Sequence, residues 1–388
     1  MPACSPFRSV VVAGCLAVAT STVSAEDLRL IQAVKIRDMT AVRGLVKQRI
    51  DVNATQGDGA TALHWAAHRD DLAIADLLIR SGARANVAND LGATPLHLAC
   101  TNRSAAMVER LLAAGADARA ALLNGETVLM TCARAGSAAA VKAVLARGAD
   151  VNAKEREHHQ TALMWAASER HPEVVRLLIE AGADLRARSW TYPQTVVNEQ
   201  TQRAGREELN YTVPRGGATA LLFAARVGDV ESARVLLKAG ADPNDAQPDG
   251  VSALVLSAHS GHGNVAALLL EHGADPNAFD SGYSALHAAI LRSDLTLVKT
   301  LLAGDTALHL AAARGHDTVI QWLVEHGARV NVQNKRGITP LAAAMFGSTA
   351  GRARSAAPAG ADLLGFERPI DLAHPSAVAL LKKLGATE

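Results

Sequence analysis

Aromatic side chains are scarce in this sequence. Only 3% of the 388 residues are Phe, Trp or Tyr, although 49% are hydrophobic, so Ala, Leu and Val must supply most of the buried surface. A chain of this length usually forms two or three globular domains. Low aromatic content with abundant Ala and Leu instead favours one elongated array in which helices make small, repeated contacts.

Neither a large charge of one sign nor a long apolar run is present. The formal net charge is +1, which gives no bulk electrostatic attraction for nucleic acid. No apolar run reaches the roughly 18 to 20 residues that a membrane-spanning helix needs. We therefore expect neither a nucleic-acid partner nor a transmembrane span.

Common catalytic motifs are also missing. The sequence has no C-x-x-C, H-E-x-x-H or G-x-S-x-G motif and no phosphate-binding loop. His158 and His159, beside Glu155 and Glu157, are interpreted as a solvated turn and not as a metal site. We expect no enzymatic activity, no cofactor and no metal.

The N-terminal segment up to Ala25 has the three-part pattern of a secretory signal peptide. Arg8 is followed by the apolar stretch SVVVAGCLAVA and then by Val23-Ser24-Ala25, small residues that suit cleavage before Glu26. This pattern predicts a periplasmic or secreted protein. Two alternatives stay open: lipidation at Cys15, as in a bacterial lipoprotein, or a buried N-terminal helix.

A short motif recurs along the rest of the chain. Thr61-Ala-Leu-His64, Thr94-Pro-Leu-His97 and Thr127-Val-Leu-Met130 follow one another at equal intervals. Further copies begin at Thr161, Thr219, Ser252, Ser284, Thr306 and Thr339. Between the copies lie segments such as LLIRSGARANV and LLKAGADPND, whose Gly suits the left-handed C-terminal position of a helix.

This pattern resembles the ankyrin repeat, which has a period of about 33 residues and the signature T-P-L-H-x-A. The resemblance covers residues 27–346 and implies an all-α solenoid of about nine to ten helix–turn–helix units with β-turn fingers. The residues agree with it, because Thr caps a first helix whose narrow Leu and Ala face must be covered by a neighbouring unit. The repeated His is expected to be structural, and Trp65, Trp165 and Phe223 are expected in the core.

We expect seven segments that differ in how closely they follow the repeat. In order, they are the signal peptide (1–25), a degenerate N-terminal capping repeat (26–57), four ankyrin repeats (58–187), an inserted finger loop (188–216), four repeats plus the first helix of a fifth (217–346), an irregular Ala/Gly/Arg-rich segment (347–370) and a C-terminal capping helix (371–388).

Cys100 and Cys132 are the cysteines that remain after the predicted cleavage. Both stand at Ala-like positions of their repeats, so we expect two buried thiols. A disulfide needs Cα atoms within about 7 Å. The two cysteines occupy non-equivalent positions in adjacent repeats, which argues against such a bond.

An insertion lies between the fourth and fifth copies, because the interval from Thr161 to Thr219 exceeds the repeat period by roughly 25 residues. Insertions in repeat proteins map to loops, often on the binding face. β-Branched and aromatic residues in both arms predict a hairpin. Trp190, Tyr192 and Tyr211 form a candidate contact surface, because Tyr and Trp are enriched at binding hot spots. Two alternatives stay open: a tolerated floppy insertion, or aromatic residues that pack the finger against the array.

A deletion shortens a later interval, because Ser284 and Thr306 are closer than one repeat period by roughly 11 residues. The turn between two repeats is missing there. We therefore expect altered stacking, as a kink or misfit, near residues 303–306.

Arginines recur near the ends of the first helices. The set comprises Arg69, Arg134, Arg226, Arg292 and Arg314, a mild basic stripe along the concave face that the resemblance implies. These are either ordinary solvated helix ends that complement the helix dipole or a groove for an acidic segment of a partner protein.

The resemblance, which extends to secreted bacterial multi-ankyrin-repeat proteins, implies a monomeric scaffold that binds another protein through the concave face and the finger. Two other functions stay open. One is a structural, protective or toxin-neutralising array without a dedicated site, and the other is an accessory subunit of a neighbouring enzyme.

Overall fold

Short antiparallel helices follow one another in pairs through the computed structural model. The structure describes residues 25–196, 211–276, 278, 284–303, 307–313, 315–325, 328–331, 333, 338–346 and 374–387. The predicted signal peptide up to residue 24, the middle of the finger, the junction residues 304–306 and the irregular segment 347–370 lie outside these described residues.

The first helices of the pairs form one layer and the second helices form another. The first helices are α1 (Ala25–Lys35), α3 (Ala62–His68), α5 (Pro95–Thr101), α7 (Val128–Ala135), α9 (Ala162–Ser168), α11 (Ala220–Val227), α13 (Ala253–Ser260), α15 (Ala285–Leu291), α17 (Ala307–Ala313) and α19 (Pro340–Phe346). The second helices are α2 (Met39–Lys47), α4 (Leu72–Arg80), α6 (Ala105–Ala113), α8 (Ala138–Ala146), α10 (Pro172–Glu180), α12 (Val230–Lys238), α14 (Gly263–Glu271), α16 (Leu295–Ala303), α18 (Asp317–Glu325) and α20 (Pro375–Lys383).

The expected all-α repeat architecture is confirmed. Each first helix packs against its own second helix and, along most of the chain, against the first helix of the next pair. The core between the layers consists mainly of Leu, Val and Ala. Within the described residues, no helix has the length and apolar character needed to cross a membrane.

Each regular first helix begins at a Thr or Ser, and a repeated His ties that unit to the next. The backbone N–H of Thr61 donates to Nδ1 of His64 at 3.1 Å, and Nε2 of the ring lies 3.0 Å from the carbonyl oxygen of Ala93 in the following turn. Because Nδ1 accepts, Nε2 must carry the ring proton and donate. The repeated His therefore has the structural role that we expected.

Burial keeps these imidazoles neutral. Desolvation lowers the pKa of His64, and it lowers the pKa of His97 to about 4. The carbonyl of Glu126 opposes this lowering of the His97 pKa, although Nε2 of His97 makes no hydrogen bond of normal geometry. Protonation of His97 therefore opposes folding.

The expectation of two separate thiols is wrong. Cys100 on α5 and Cys132 on α7 form a disulfide, with their Cα atoms 4.6 Å apart and both side chains fully buried. The helices α5 and α7 pack directly against each other, and Ala99 and Ala133 beside the two cysteines are buried as well. Because these side chains are small, the two backbones come so close that the cysteines can bond although their positions in the two repeats differ by one residue.

The stack continues past the insertion but is interrupted at the deletion. Helix α9 packs against α11 although the whole finger lies between them. Among the described residues, α15 makes no comparable contact with α17, nor α16 with α18, although α16 contacts α17. Ile290, at the end of α15, is 44% exposed, while its counterparts in earlier described repeats, such as Ala67 and Ala225, are fully buried. We call residues 28–303 the N-terminal block and residues 307–387 the C-terminal block.

The last two helices pack as one repeat, although residues 347–374 separate them in the sequence. The backbone N–H of His374 donates to the carbonyl of Ala344 at 3.0 Å, as that of Asp71 donates to Ala66 at 2.9 Å in a regular unit. Helix α20 accordingly packs on α19 and on α18, in the place of a second helix. It covers the end of the C-terminal block.

Candidate interaction surface

From residue 58 to residue 190, the turns that connect successive helix pairs are joined by backbone hydrogen bonds into a row, which we call the turn row. One bond joins each pair of neighbouring turns in this part of the chain: Asp90 N–H to Asp58 O (2.9 Å), Leu123 N–H to Leu91 O (3.1 Å), Arg156 N–H to Asn124 O (2.8 Å) and Trp190 N–H to His158 O (2.6 Å). At Gly92, where φ is +81°, a Cβ atom would lie 3.1 Å from the backbone of Leu122 in the next turn. Glycine is therefore required for this close approach.

The finger is a β-hairpin that grows out of the turn row. Strand β1 (Thr191–Val196) pairs antiparallel with strand β2 (Tyr211–Gly216), so that Thr191 lies opposite Gly216 and Val196 opposite Tyr211. The predicted hairpin is thus confirmed for its two arms. Residues 191–195 are all exposed, which shows that both faces of β1 are open to solvent.

Arg188 clamps the base of the hairpin to the following repeat. Its Nη1 donates to the carbonyls of Gly217 (2.7 Å) and Ala246 (2.9 Å), and its Nη2 pairs with the carboxylate of Asp245. Asp245 also accepts from the hydroxyl of Thr219, the cap residue of α11. An isolated two-stranded hairpin is at best marginally stable in water, so this clamp explains how the hairpin is held.

A second clamp lies on β2. Arg215 forms an ion pair with Asp249 at 2.8 Å, and its Nε donates to Oε1 of Gln194 on the opposite strand at 3.0 Å. The carboxylate of Asp249 is only 7% exposed, so the pair is partly shielded from solvent. Both arginines at the hairpin base are therefore already matched by carboxylates of this chain.

Three exposed rings line up at the hairpin base, and we call them the aromatic row. The ring centroids of His159 and Trp190 are 6.1 Å apart, and those of Trp190 and Tyr192 are 6.2 Å apart and inclined by 55°. Trp190 is 52% exposed and Tyr192 is 46% exposed. About half of each side chain is therefore open to solvent, while Trp190 also contacts His159 of the preceding turn.

Glu155 organises the turn that carries the first ring of this row. Its carboxylate is 3% exposed and accepts hydrogen bonds from the backbone N–H groups of Glu157, His158 and Gln160 at 2.7 to 3.0 Å. His159 adopts φ of +54°, which is uncommon for a residue other than glycine. The carboxylate thus fixes the carbonyl of His158 that receives Trp190.

The predicted contact residues are only partly brought together. Trp190 and Tyr192 are neighbours, whereas Tyr211 pairs with Val196 at the far end of the strands. His159 joins the row unexpectedly. The sequence could have predicted this contact, because His159 and Trp190 are close to one repeat period apart and therefore lie in successive turns.

Three of the five arginines at the helix ends make contacts within the chain. Arg134 pairs with Glu126 at 2.8 Å and lies 4.7 Å from the ring of half-buried Trp165, while Arg226 lies 4.8 Å from the ring of Phe223. Arg292 donates to the carbonyl of His259 at 3.3 Å. Arg69 is exposed at the end of α3, and Arg314 lies outside the described residues. These contacts favour the reading of ordinary helix ends over that of an acidic-peptide groove.

The grouping of ligating side chains decides whether the described residues could hold a metal ion. Across the parts of the chain with assigned structure, no group of three or more His, Cys, Asp or Glu side chains comes together as a metal site. His158 and His159 lie in the turn row, as the sequence suggested, and His159 contacts Trp190.

Comparisons with known families identify the repeat. The family described as ankyrin repeats (3 copies) matches residues 30–121, 106–189 and 221–305, and the single ankyrin repeat matches residues 303–335. The family described as ankyrin repeats (many copies) matches residues 163–237. Together these matches extend over most of the chain.

Individual relatives match much shorter segments. An ankyrin repeat protein of Rickettsia bellii (strain RML369-C) is 39% identical over 66 residues, which are 17% of this chain and 27% of that protein. The palmitoyltransferase akr1 of Schizosaccharomyces pombe (strain 972 / ATCC 24843) is 44% identical over 50 residues, which are 13% of this chain and 8% of that protein. The chain thus matches at most 27% of the length of these curated relatives.

Proposed function

The chain belongs to the ankyrin repeat family, whose repeats are protein–protein interaction scaffolds, and we propose that it is exported and holds a protein partner through its inserted hairpin and concave face. The family is in general non-enzymatic. The match to the palmitoyltransferase is confined to ankyrin repeats and carries no activity to this chain. The proposed activity is therefore binding.

Two independent features support export to the periplasm or the cell exterior. The first is the N-terminal order of Arg8, an apolar stretch and Val23-Ser24-Ala25. The second is the buried disulfide between Cys100 and Cys132. Disulfides persist in oxidising compartments and are rare in the reducing cytosol.

The clamped hairpin with its exposed aromatic row is the observation that carries the binding proposal. A merely tolerated insertion needs no fixed base, yet Arg188 and Arg215 both tie this one to the next repeat. Large rings fixed in place and left open to solvent lose little conformational entropy on binding and gain much contact area. The concave face has the weaker support, because Arg134 and Arg226 are engaged in contacts within the chain.

Affinity capture with two hairpin variants tests the proposal. In the first variant, residues 195–212 are replaced by Asn-Gly, which leaves Gln194 opposite Val213 across a two-residue turn and keeps the aromatic row. The second carries Trp190→Ala and Tyr192→Ala and keeps the hairpin. The exposed Ile36, on the N-terminal cap, provides the matched control Ile36→Ala. All are exported from the full-length gene with a C-terminal tag and compared by thermal melting.

We expect the wild type, the Ile36→Ala control and the short-hairpin variant to retain the same envelope protein, and the double alanine variant to lose it. Equal retention by all four proteins would remove the hairpin from the contact surface. Failure of the wild type to retain any protein would reject the scaffold and favour a protective array. Export is tested separately by cell fractionation, and a cytosolic location of the untagged chain would refute it.

A further inference from the structure

We infer that the aromatic row binds a proline-rich segment of the partner in the polyproline II conformation. This inference rests on the proposed function and deepens it, because it states the chemistry of the partner. Peptides are recognised by a few recurring modes: strand addition, a helix in a groove, polyproline II docking and capture of acidic motifs by arginine clusters. The hairpin base distinguishes among them.

A partner strand cannot extend this hairpin with a continuous ladder of hydrogen bonds. Pro193 lies directly opposite Pro214. Two prolines cannot exchange the N–H···O bonds of a hydrogen-bonded pair, so they form a non-hydrogen-bonded pair whose N–H positions face the two outer edges. Each edge therefore lacks a donor midway along the strand, which is a known device against edge-to-edge pairing.

Acidic motifs and amphipathic helices are also poor fits. Arg188 and Arg215, the arginines at the hairpin base, already pair with Asp245 and Asp249. A helix needs an apolar groove into which it lays one face. The aromatic row instead stands on an exposed strand, where Thr191, Pro193 and Gln194 are open to solvent around the rings.

Polyproline II segments dock on exposed aromatic side chains, and the aromatic row provides such side chains. The two rings contact each other, with centroids 6.2 Å apart, and both are about half exposed, so a pyrrolidine ring can stack on the open surface of Trp190 or Tyr192. A polyproline II helix has no internal hydrogen bonds, and its carbonyls stay available to donors. The indole N–H of Trp and the phenolic O–H of Tyr are such donors at the rim of an aromatic site. Proline-rich segments are extended before binding, so little further entropy is lost.

Selection of displayed random peptides provides the test. The exported wild-type chain is used to select short random peptides, with counter-selection on the Trp190→Ala variant. We expect the recovered sequences to be rich in proline, and their affinity to fall roughly tenfold or more with Trp190→Ala but not with Ile36→Ala. Tyr192→Phe, which removes only the hydroxyl, should give a smaller loss.

A direct titration complements the selection. The indole N–H signal of Trp190 is assigned by its absence from the spectrum of Trp190→Ala, and a short polyproline peptide is added to the labelled wild type. A shift confined to Trp190 supports the inference. Recovery of peptides without proline, a response to chitotetraose and not to the peptide, or no response at all would each overturn it. If the inference fails in one of these ways, loss of the captured envelope protein in the Trp190→Ala, Tyr192→Ala variant would still support the proposed function.

Discussion

The insertion between α9 and α11 leaves these two helices packed against each other, whereas the deletion between α16 and α17 interrupts the packing of α15 on α17. The difference follows from the role of the turn row. The residues added by the insertion project from the turn as a hairpin, and the hydrogen bond from the backbone N–H of Trp190 to the carbonyl of His158 is kept. The deletion, in contrast, removes the residues that connect one helix pair to the next. A repeat array thus tolerates a longer turn far better than a missing one.

Reduction of the disulfide should give the largest effect and should be confined to the N-terminal block. Cys100 and Cys132 are 32 residues apart, and closing a loop of that length restricts the unfolded chain by about 3 to 4 kcal/mol. We expect Cys100→Ala with Cys132→Ala to lower the unfolding free energy of this block by that amount. Urea unfolding monitored by tryptophan fluorescence in a Trp322→Phe background reports on Trp65, Trp165 and Trp190 alone. The complementary background, in which Trp65, Trp165 and Trp190 are replaced by Phe, reports on Trp322 in the C-terminal block, and an equal loss there would show that the blocks unfold together.

Acidification should destabilise the same block. The pKa of His97 is about 4 in the folded chain and about 6.5 when unfolded, so the unfolded chain takes up a proton first as the pH falls. Stability is complete above about pH 6.5, and about 3 kcal/mol is lost by pH 4. The chain supplies its own control, because Met130 occupies the equivalent position.

His97→Met should therefore flatten the pH dependence of the unfolding free energy between pH 6.5 and pH 4. Unfolding curves at half-unit pH intervals check this. An unchanged slope in His97→Met would assign the acid sensitivity to other groups, of which His64, with its lowered pKa, is the first to examine.

Restoring the missing turn should join the two blocks. Residues 239–251 of a regular repeat, placed where Gly304 and Asp305 now stand, recreate the spacing between a second helix and the next first helix. Ile290→Ala belongs in the same variant, because alanine or cysteine is buried at that position in the preceding repeats. Covering the apolar end of α15 should add about 2 kcal/mol.

Differential scanning calorimetry distinguishes the outcomes of this repair. We expect one cooperative transition in the repaired chain and two in the wild type, since stacked repeats are stabilised through their shared interfaces. A wild type that already melts in one transition would show that the interruption between α15 and α17 has no energetic consequence.

The sequence predicted the parts of this structure that depend on local pattern. The interval from Thr61 to Thr94 predicted the repeat period, and the β-branched and aromatic residues in both arms of the finger predicted the hairpin. The disulfide was missed because the distance between α5 and α7 is set by alanines in two repeats at once. The clamp was missed for a related reason: Arg188 and Asp245 are far apart in sequence and meet only because the stacking of repeats brings successive turns together.

The smallest expected effect concerns the hairpin base. At Gly216, φ is +85° and a Cβ atom would lie 2.0 Å from the carbonyl oxygen of Trp190. Gly216→Ala should therefore separate the strands at their base and cost about 1 to 2 kcal/mol locally. We expect the packing of α9 on α11 to be unchanged, because these two helices contact each other directly.

Hydrogen exchange separates these two expectations. In Gly216→Ala, we expect faster exchange for the strand amides of β1 and β2, and unchanged exchange for α9 and α11. Gly182→Ala is the matched control, because Gly182 has a similar φ of +88° but no atom within 4 Å of its Cβ position. If α9 and α11 also exchanged faster in Gly216→Ala alone, the hairpin would be part of the stack. The tolerance of the array for a longer turn would then depend on the clamp by Arg188, and not on the helices themselves.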